Sequence, residues 1–155
     1  VKIFLTRLIC AAALTVLTAC GGSDEGTSTS PLATYIGSWS SDCMVEGSGS
    51  GTLDLNLNTF SNNTLSGQMT VDAYVGNTTC AGAASTTTVP VSMAYDGIKI
   101  VSGDSAVKVV ITAGTVVYKD LLLIKGGRLY SGVESPIGAD GYPDAIDFTD
   151  PLTRN

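Results

Sequence analysis

Polar and apolar residues alternate with a period of two along most of the chain after residue 34. Leu53, Leu55 and Leu57 alternate with Asp54, Asn56 and Asn58, and Met69, Val71, Ala73 and Val75 alternate with Gln68, Thr70, Asp72 and Tyr74. Val89, Val91, Met93 and Tyr95 share one face, as do Ile98 and Ile100, and then Val107, Val109 and Ile111. This is the pattern of half-buried strands, whose successive side chains point to opposite faces. Leu121 to Ile124 is apolar on both faces and reads as a more deeply buried strand. Asp96-Gly97, between Tyr95 and Ile98, and Gly126-Gly127, between Lys125 and Arg128, have the composition of two-residue hairpin turns. Ser61-Asn62-Asn63 and Ser102-Gly103-Asp104 read as somewhat longer loops.

About eight strands are predicted, near 35–41, 51–60, 64–75, 87–95, 98–102, 106–112, 115–125 and 128–133. No stretch after residue 20 carries a capped apolar stripe of helical period. The expected fold class is all-β, a small antiparallel meander closed as a barrel or stacked as a sandwich. The expected inward set includes Leu53, Leu55, Leu57, Val71, Val91, Val109 and Ile111, a lining without fixed charge. An outer-membrane-spanning barrel is disfavoured, because such strands carry aromatic girdles and only 6% of this chain is aromatic.

The first 34 residues obey other rules. Lys2 and Arg7 give a basic start, Leu8 to Leu17 is almost unbroken apolar sequence, and Leu17-Thr18-Ala19-Cys20 closes it with small residues before a cysteine. The segment resembles the signal of a bacterial lipoprotein precursor, with a lipobox at residues 17–20. The resemblance implies cleavage before Cys20, diacylglycerol on the Cys20 thiol and a location in the cell envelope. Gly21 after the cysteine resembles lipoproteins sent to the outer membrane. The apolar run is too short to span a hydrocarbon core of about 30 Å. Residues 21–34 are mainly Gly, Ser, Thr, Asp and Glu, a composition that buries little surface and reads as a flexible linker. The expected organisation is therefore a signal at 1–19, a lipid-anchored linker at 20–34 and a folded domain at 35–155.

Removing the signal changes the charge and the cysteine count. Of eight basic residues, Lys2 and Arg7 leave with it, so six remain against fourteen acids, a net of −8. No Lys or Arg lies between Arg7 and Lys99. That pattern lacks the basic footprint of a nucleic-acid binder and leaves the acyl chains to hold the membrane. Cys10 departs with the signal and Cys20 takes the lipid, which leaves Cys43 and Cys80 as one pair. A disulfide is expected in an oxidising envelope. Two cysteines with no histidine cannot complete a tetrahedral zinc site.

The missing histidine also removes the commonest general base and the usual nucleophilic triads. Gly47-Ser48-Gly49-Ser50-Gly51 lacks the lysine of a phosphate-binding loop and reads as a flexible connection. Asn62-Asn63-Thr64 matches a glycosylation sequon but reads as a turn. Asp140, Asp144, Asp147 and Asp150 gather carboxylates in a short tail, yet their spacing is not that of a calcium loop. The simpler reading is an Asp140-Gly141 turn followed by a closing strand through Ile146 and Phe148. No metal and no cofactor is therefore expected. Gly37-Ser38-Trp39 resembles the Gly-x-Trp of lipocalin-type barrels, in which the tryptophan plugs one barrel end beneath an arginine of the last strand. The resemblance implies a small barrel and gives the arginine's part to Arg128.

The expected function is that of a lipid-anchored, non-enzymatic binding domain for a small apolar ligand or an envelope partner. A periplasmic inhibitor of lysozyme or of proteases is the alternative by fold analogy, and a hydrolase comes third. Cys20→Ala should abolish incorporation of labelled fatty acid and leave the precursor unprocessed, because only that thiol is placed to accept diacylglycerol. Label retained by the variant would refute the anchoring.

Overall fold

In the computed structural model, which describes residues 30–155, the alternating segments are strands of one continuous sheet. They are β1 (Gly37–Ser41), β2 (Met44–Glu46), β3 (Gly49–Ser61), β4 (Thr64–Tyr74), β5 (Ser85–Val101), β6 (Asp104–Ala113), β7 (Val116–Lys125), β8 (Arg128–Ser131) and β9 (Leu152–Arg154). Every pairing is antiparallel. β3 to β9 succeed one another as a meander, and β1 closes it by pairing with β9 through Trp39↔Arg154 and with β3 through Trp39↔Leu55. The result is an eight-stranded closed barrel, with β2 as a short extra strand on the free length of β3. Closure leaves few unpaired ladder groups to template aggregation.

Alternation decides which side chains fill it. All seven residues of the expected inward set are buried in one apolar cluster, joined by Leu65, Met69, Met93, Val107, Leu122 and Leu129. On β6, Val107, Val109, Ile111 and Ala113 are buried while Lys108, Val110 and Thr112 between them are only partly covered. β3 bends at a bulge between Leu57 and Thr59, opposite Gly67 of β4. A Cβ at Gly67 would lie 1.8 Å from the Asn56 carbonyl oxygen, so this crossing requires glycine.

The barrel has two distinct ends. One carries the Asn62-Asn63, Ser102-Gly103 and Gly126-Gly127 turns and the chain's entry into β1. The other carries the Gly47-Ser48 turn and the 75–84 loop. At the entry end a 3-10 helix, Pro31–Tyr35, packs Leu32 and Tyr35 into the core. Residues 30–34 thus belong to the folded body rather than to the expected linker, because Leu32 is fully buried and Ser30 caps the helix. Trp39 lies beside them, its Nε1 donating to the Tyr35 carbonyl at 2.9 Å.

The hairpin readings divide. Gly126-Gly127 is the β7–β8 turn, with φ of 60° and 77°. Asp96-Gly97 is not a turn: β5 runs through it, and the pair absorbs a register shift between Tyr95 and Ile98. Gly97, with φ of 107°, supplies a bulge where a hairpin was expected. The chain reverses instead at Ser102-Gly103, where both residues have positive φ. Asn62-Asn63 is likewise a tight two-residue turn rather than a longer loop. The closing strand also moves: Ile146 makes only a single bridge to Gly132, Phe148 is half exposed, and Leu152–Arg154 completes the ring.

The arginine over Trp39 is Arg154, whose guanidinium carbon lies 4.5 Å from the ring centroid and whose Nη2 donates to the Thr34 carbonyl at 2.7 Å. Arg128, assigned that part from sequence, is exposed beside the β7–β8 turn, opposite Lys125. β9 is the true last strand, so the arginine had to come from it. Arg154→Ala should lower the free energy of unfolding by about 1–2 kcal/mol through loss of the cation–π and charge-assisted contacts. Arg128→Ala should change it by less than about 0.5 kcal/mol, and urea melts of the two variants will show whether the order is reversed.

Candidate functional site

The barrel interior is the first place to look for a site, because eight-stranded barrels hold ligands there when their lining leaves room. A cavity of about 40 Å³ lies among Leu53, Met69, Val91, Met93, Ile111 and Asp120. That is room for a few waters and far below the roughly 300 Å³ at which pockets for organic ligands begin. The entry end above it is stoppered by Leu32, Tyr35 and Trp39. The Tyr35 hydroxyl is itself buried and donates to the Leu122 carbonyl at 3.0 Å, and burial pushes its phenol up to about 12.

One charged side chain interrupts the aliphatic lining. On β7, alternation puts Tyr118, Asp120, Leu122 and Ile124 on the inward face, and Asp120 is buried. The expectation of a lining without fixed charge is therefore corrected. The same period-two pattern that placed Leu122 inside also places Asp120 there, two residues earlier. Its Oδ1 accepts from the backbone N–H of Leu121 at 2.7 Å and of Gly132 at 2.9 Å. Asp120 thus ties β7 to the point where the chain leaves β8. A Cβ on Gly132 would press on Pro143 at 2.4 Å and on Asp120 Oδ1 at 2.9 Å, so glycine lets the carboxylate reach the backbone. Burial pushes the Asp120 carboxyl up to about 6, against the two N–H groups that favour its charged form.

A second cluster lies outside the barrel. The 132–151 connection folds back over the outer face of β5 to β7 and packs Tyr142 and Ile146 on Val101, Ala106, Leu121 and Leu123. Three lysines clasp it. Lys108 and Lys119 approach the Tyr142 ring at 4.3 and 4.8 Å from its centroid, and Lys119 donates to the Asp140 carbonyl at 3.1 Å. Lys99 binds Asp144 at 2.9 Å, Asp140 at 3.3 Å and the Pro143 carbonyl at 3.0 Å. The Tyr142 hydroxyl donates to Asp96, the residue that the bulge in β5 turns outward. Desolvation, reinforced by Asp96, holds that phenol well above its ordinary range. Asp140 and Asp144 are thus engaged with ammonium groups, and no cluster of three or more metal-ligating side chains occurs among the described residues. The sequence alone does not connect these lysines with the tail, because Lys99 and Asp144 are brought together only by the fold-back.

The disulfide joins Cys43, between β1 and β2, to Cys80 in the 75–84 loop, with Cα atoms 5.7 Å apart. Closing a loop of 37 residues contributes roughly 3–4 kcal/mol on the chain-entropy account. Ser50, also buried, donates to the Asn77 carbonyl at 2.7 Å and accepts from the Cys80 N–H at 3.0 Å, which seats the loop on β3. The Gly-rich run at 47–51, expected as a flexible connection, is a tight turn leading into the first residues of β3. Gly37 opens β1 with φ of 141°, and a Cβ there would sit 3.6 Å from the Arg154 guanidinium. Cys20 and the lipobox lie outside the described residues.

Fold and site define a small, closed, nearly filled β-barrel domain. Searches against protein-family models, curated proteins and solved structures find nothing that matches this chain. The expectation of a small barrel is met as an eight-stranded antiparallel barrel, whereas the arginine over Trp39 is Arg154 and not the expected Arg128.

Asp120 makes stability depend on pH with a definite sign. The unfolded chain releases this proton near pH 3.8 and the folded chain near 6, so between those values the folded state binds more protons. The stabilisation is complete below pH 4 and disappears as pH rises through 6. Asp120→Asn keeps a carbonyl acceptor for both N–H groups and removes the charge. It should gain on the parent by on the order of 2–3 kcal/mol between pH 4 and pH 7.5. Urea melts at the two pH values test this, and an unchanged difference would refute it.

Proposed function

We propose that this protein is a lipid-anchored lipoprotein of the bacterial envelope whose barrel works through its surface, by docking an envelope partner, and not as a carrier of a small apolar ligand. The observation that carries this reading is the interior. A cavity of about 40 Å³ beneath a stopper of Leu32, Tyr35 and Trp39 offers no volume for a fatty or aromatic molecule. Anchoring is supported by the Leu17-Thr18-Ala19-Cys20 motif and the basic, then apolar, segment before it. Gly21 after the cysteine favours the outer membrane as the destination.

The surface offers what a docking domain needs. The 75–84 loop is stapled by Cys43–Cys80 and by Ser50, so a partner would meet a rigid shape and little ordering entropy would be lost. Asp42, Glu46 and Asp72 surround that end, and no Lys or Arg occurs between residues 30 and 98. A partner with a basic face fits it best. A non-enzymatic role is favoured by the chain's lack of histidine and by an interior whose one carboxylate is engaged in structural bonds.

Native mass spectrometry of protein drawn from its own envelope, with a hydrophobic-dye titration, tests the reading. No stoichiometric lipid should copurify inside the domain beyond the acyl groups on Cys20, and dye fluorescence should stay at the level of buffer. A stoichiometric apolar molecule that survives domain isolation would overturn it.

A further inference from the structure

The two ends of the barrel differ in chemistry, and the difference bears on how the anchored domain stands. From Asp96 onward β5 has β6 on one side and no β4 partner on the other, because the β4–β5 ladder ends at Thr64↔Ala94 and Asn63 takes the Tyr95 N–H. The β5–β6 hairpin therefore projects past the rim at the entry end. Ile98 and Ile100 lie on the face of β5 that points inward lower in the barrel, but here they have no core to enter and are 45% and 65% exposed. Ile36, at the mouth of β1, is 40% exposed, and Phe148 is half exposed beneath Lys125. Large apolar side chains on a projecting rim are costly in water unless something covers them.

Charge is sorted along the same axis. Lys99, Lys108 and Lys119 are committed to the 138–144 segment on the barrel's side. The other cations among the described residues, Lys125, Arg128 and Arg154, all lie at the entry end. Of these Lys125 is shared with Asp104 at 2.7 Å, Arg154 covers Trp39, and Arg128 is exposed. The acids Asp42, Glu46 and Asp72 lie toward the opposite, disulfide-stapled end. A chain with a net charge of −8 after signal removal thus folds with the cations not used by the 138–144 segment at one pole, together with four of the eight exposed large apolar side chains of the described residues, while Val45 and Val75 are exposed at the other.

That pole is also where the anchor would enter. Nine residues, 21–29, separate Cys20 from Ser30, which caps the 3-10 helix at the entry end. Nine residues reach at most about 30 Å, so acyl chains on Cys20 would hold this rim within reach of the headgroups. We propose that the barrel stands end-on against the bilayer, with Ile36, Ile98, Ile100 and Phe148 in the interfacial layer and Arg128 and Lys125 against anionic headgroups. The disulfide-stapled acidic end then faces away from the membrane. The inference rests on lipid anchoring at Cys20. Interfacial seating of this kind combines apolar insertion with attraction to anionic lipid, and tethering makes a weak contact sufficient.

The test uses the full lipidated protein in phosphatidylglycerol–phosphatidylethanolamine vesicles. With Cys43 and Cys80 bonded and Cys20 acylated, Ile100→Cys supplies one free thiol for an environment-sensitive fluorophore, and Val75→Cys, 93% exposed on the opposite end, supplies the reference. Brominated lipid should quench the label at position 100 about threefold or more over that at 75. Adding Arg128→Glu should weaken the quenching, as should replacing phosphatidylglycerol with phosphatidylcholine. Ile36→Cys, between the 3-10 helix and β1, repeats the reading from a second position should the hairpin tolerate its label poorly. Intact mass reports the acyl groups independently. Acylated protein with equal quenching at 75 and 100 overturns the orientation and leaves the anchoring standing, whereas protein without acyl mass overturns both. Shielding of position 100 that needs a second protein and no lipid assigns the rim to that protein and refutes the membrane contact.

Discussion

The pairing of β1 with both β3 and β9 is the contact on which the rest depends. Without it the meander would be an open sheet with exposed edges on β3 and β9 and an apolar face half uncovered. Closure is achieved by five residues of β1 and three of β9, a small ladder for so large an effect. Trp39 explains how so short a seam holds. It stands at the crossing of the three strands, fully buried, with its indole N–H bound to Tyr35 and its ring beneath Arg154. Helix, stopper and seam are therefore one unit, and the 3-10 turn is part of the closure rather than an appendage to it.

A chain with few aromatics builds a barrel that is narrow and well filled. Small aliphatic and methionine side chains pack its interior, and the remaining void is close to the size of a few waters. Asp120 is the exception, kept because it binds two backbone N–H groups where β8 is too short to cover the start of β7. A buried carboxylate with two good donors costs less than two orphaned N–H groups in the same place. It serves the wall of the barrel and not its content.

The outer clasp sets the polarity of the surface. Three of the six cations of the described chain are used to hold Tyr142 and its neighbouring carboxylates against β5 to β7. Tyr142 thereby covers an apolar patch of Leu121, Leu123 and Ala106 that no strand of the barrel can cover, since it lies on the outside. With those lysines committed to the barrel's side, the remaining cations form one basic rim on an otherwise acidic body.

Much of this architecture was legible in the residues. The all-β class, the inward faces of β3, β4, β5 and β6 and the Gly126-Gly127 turn come from local rules, because side-chain alternation and positive-φ turns are decided by residues close in sequence, whereas the Cys43–Cys80 pair came from counting the cysteines left once Cys10 and Cys20 were set aside. The Leu17-Thr18-Ala19-Cys20 motif is local too, and its resemblance to a lipobox rests on sequence alone. Other features were decided only by contacts between distant segments. Asp-Gly at 96–97 suits a turn and a bulge equally, and the register of β6 chose the bulge. Arg154 displaced Arg128 over Trp39 because ring closure selected Leu152–Arg154 as the last strand. Asp120 sat in a strand whose alternation was readable, but its use depended on Gly132 arriving within hydrogen-bond distance. The lysine clasp required three strands and a loop to meet. A chain encodes its local periods residue by residue, whereas the choice among equally good local options belongs to the partners that only closure brings together.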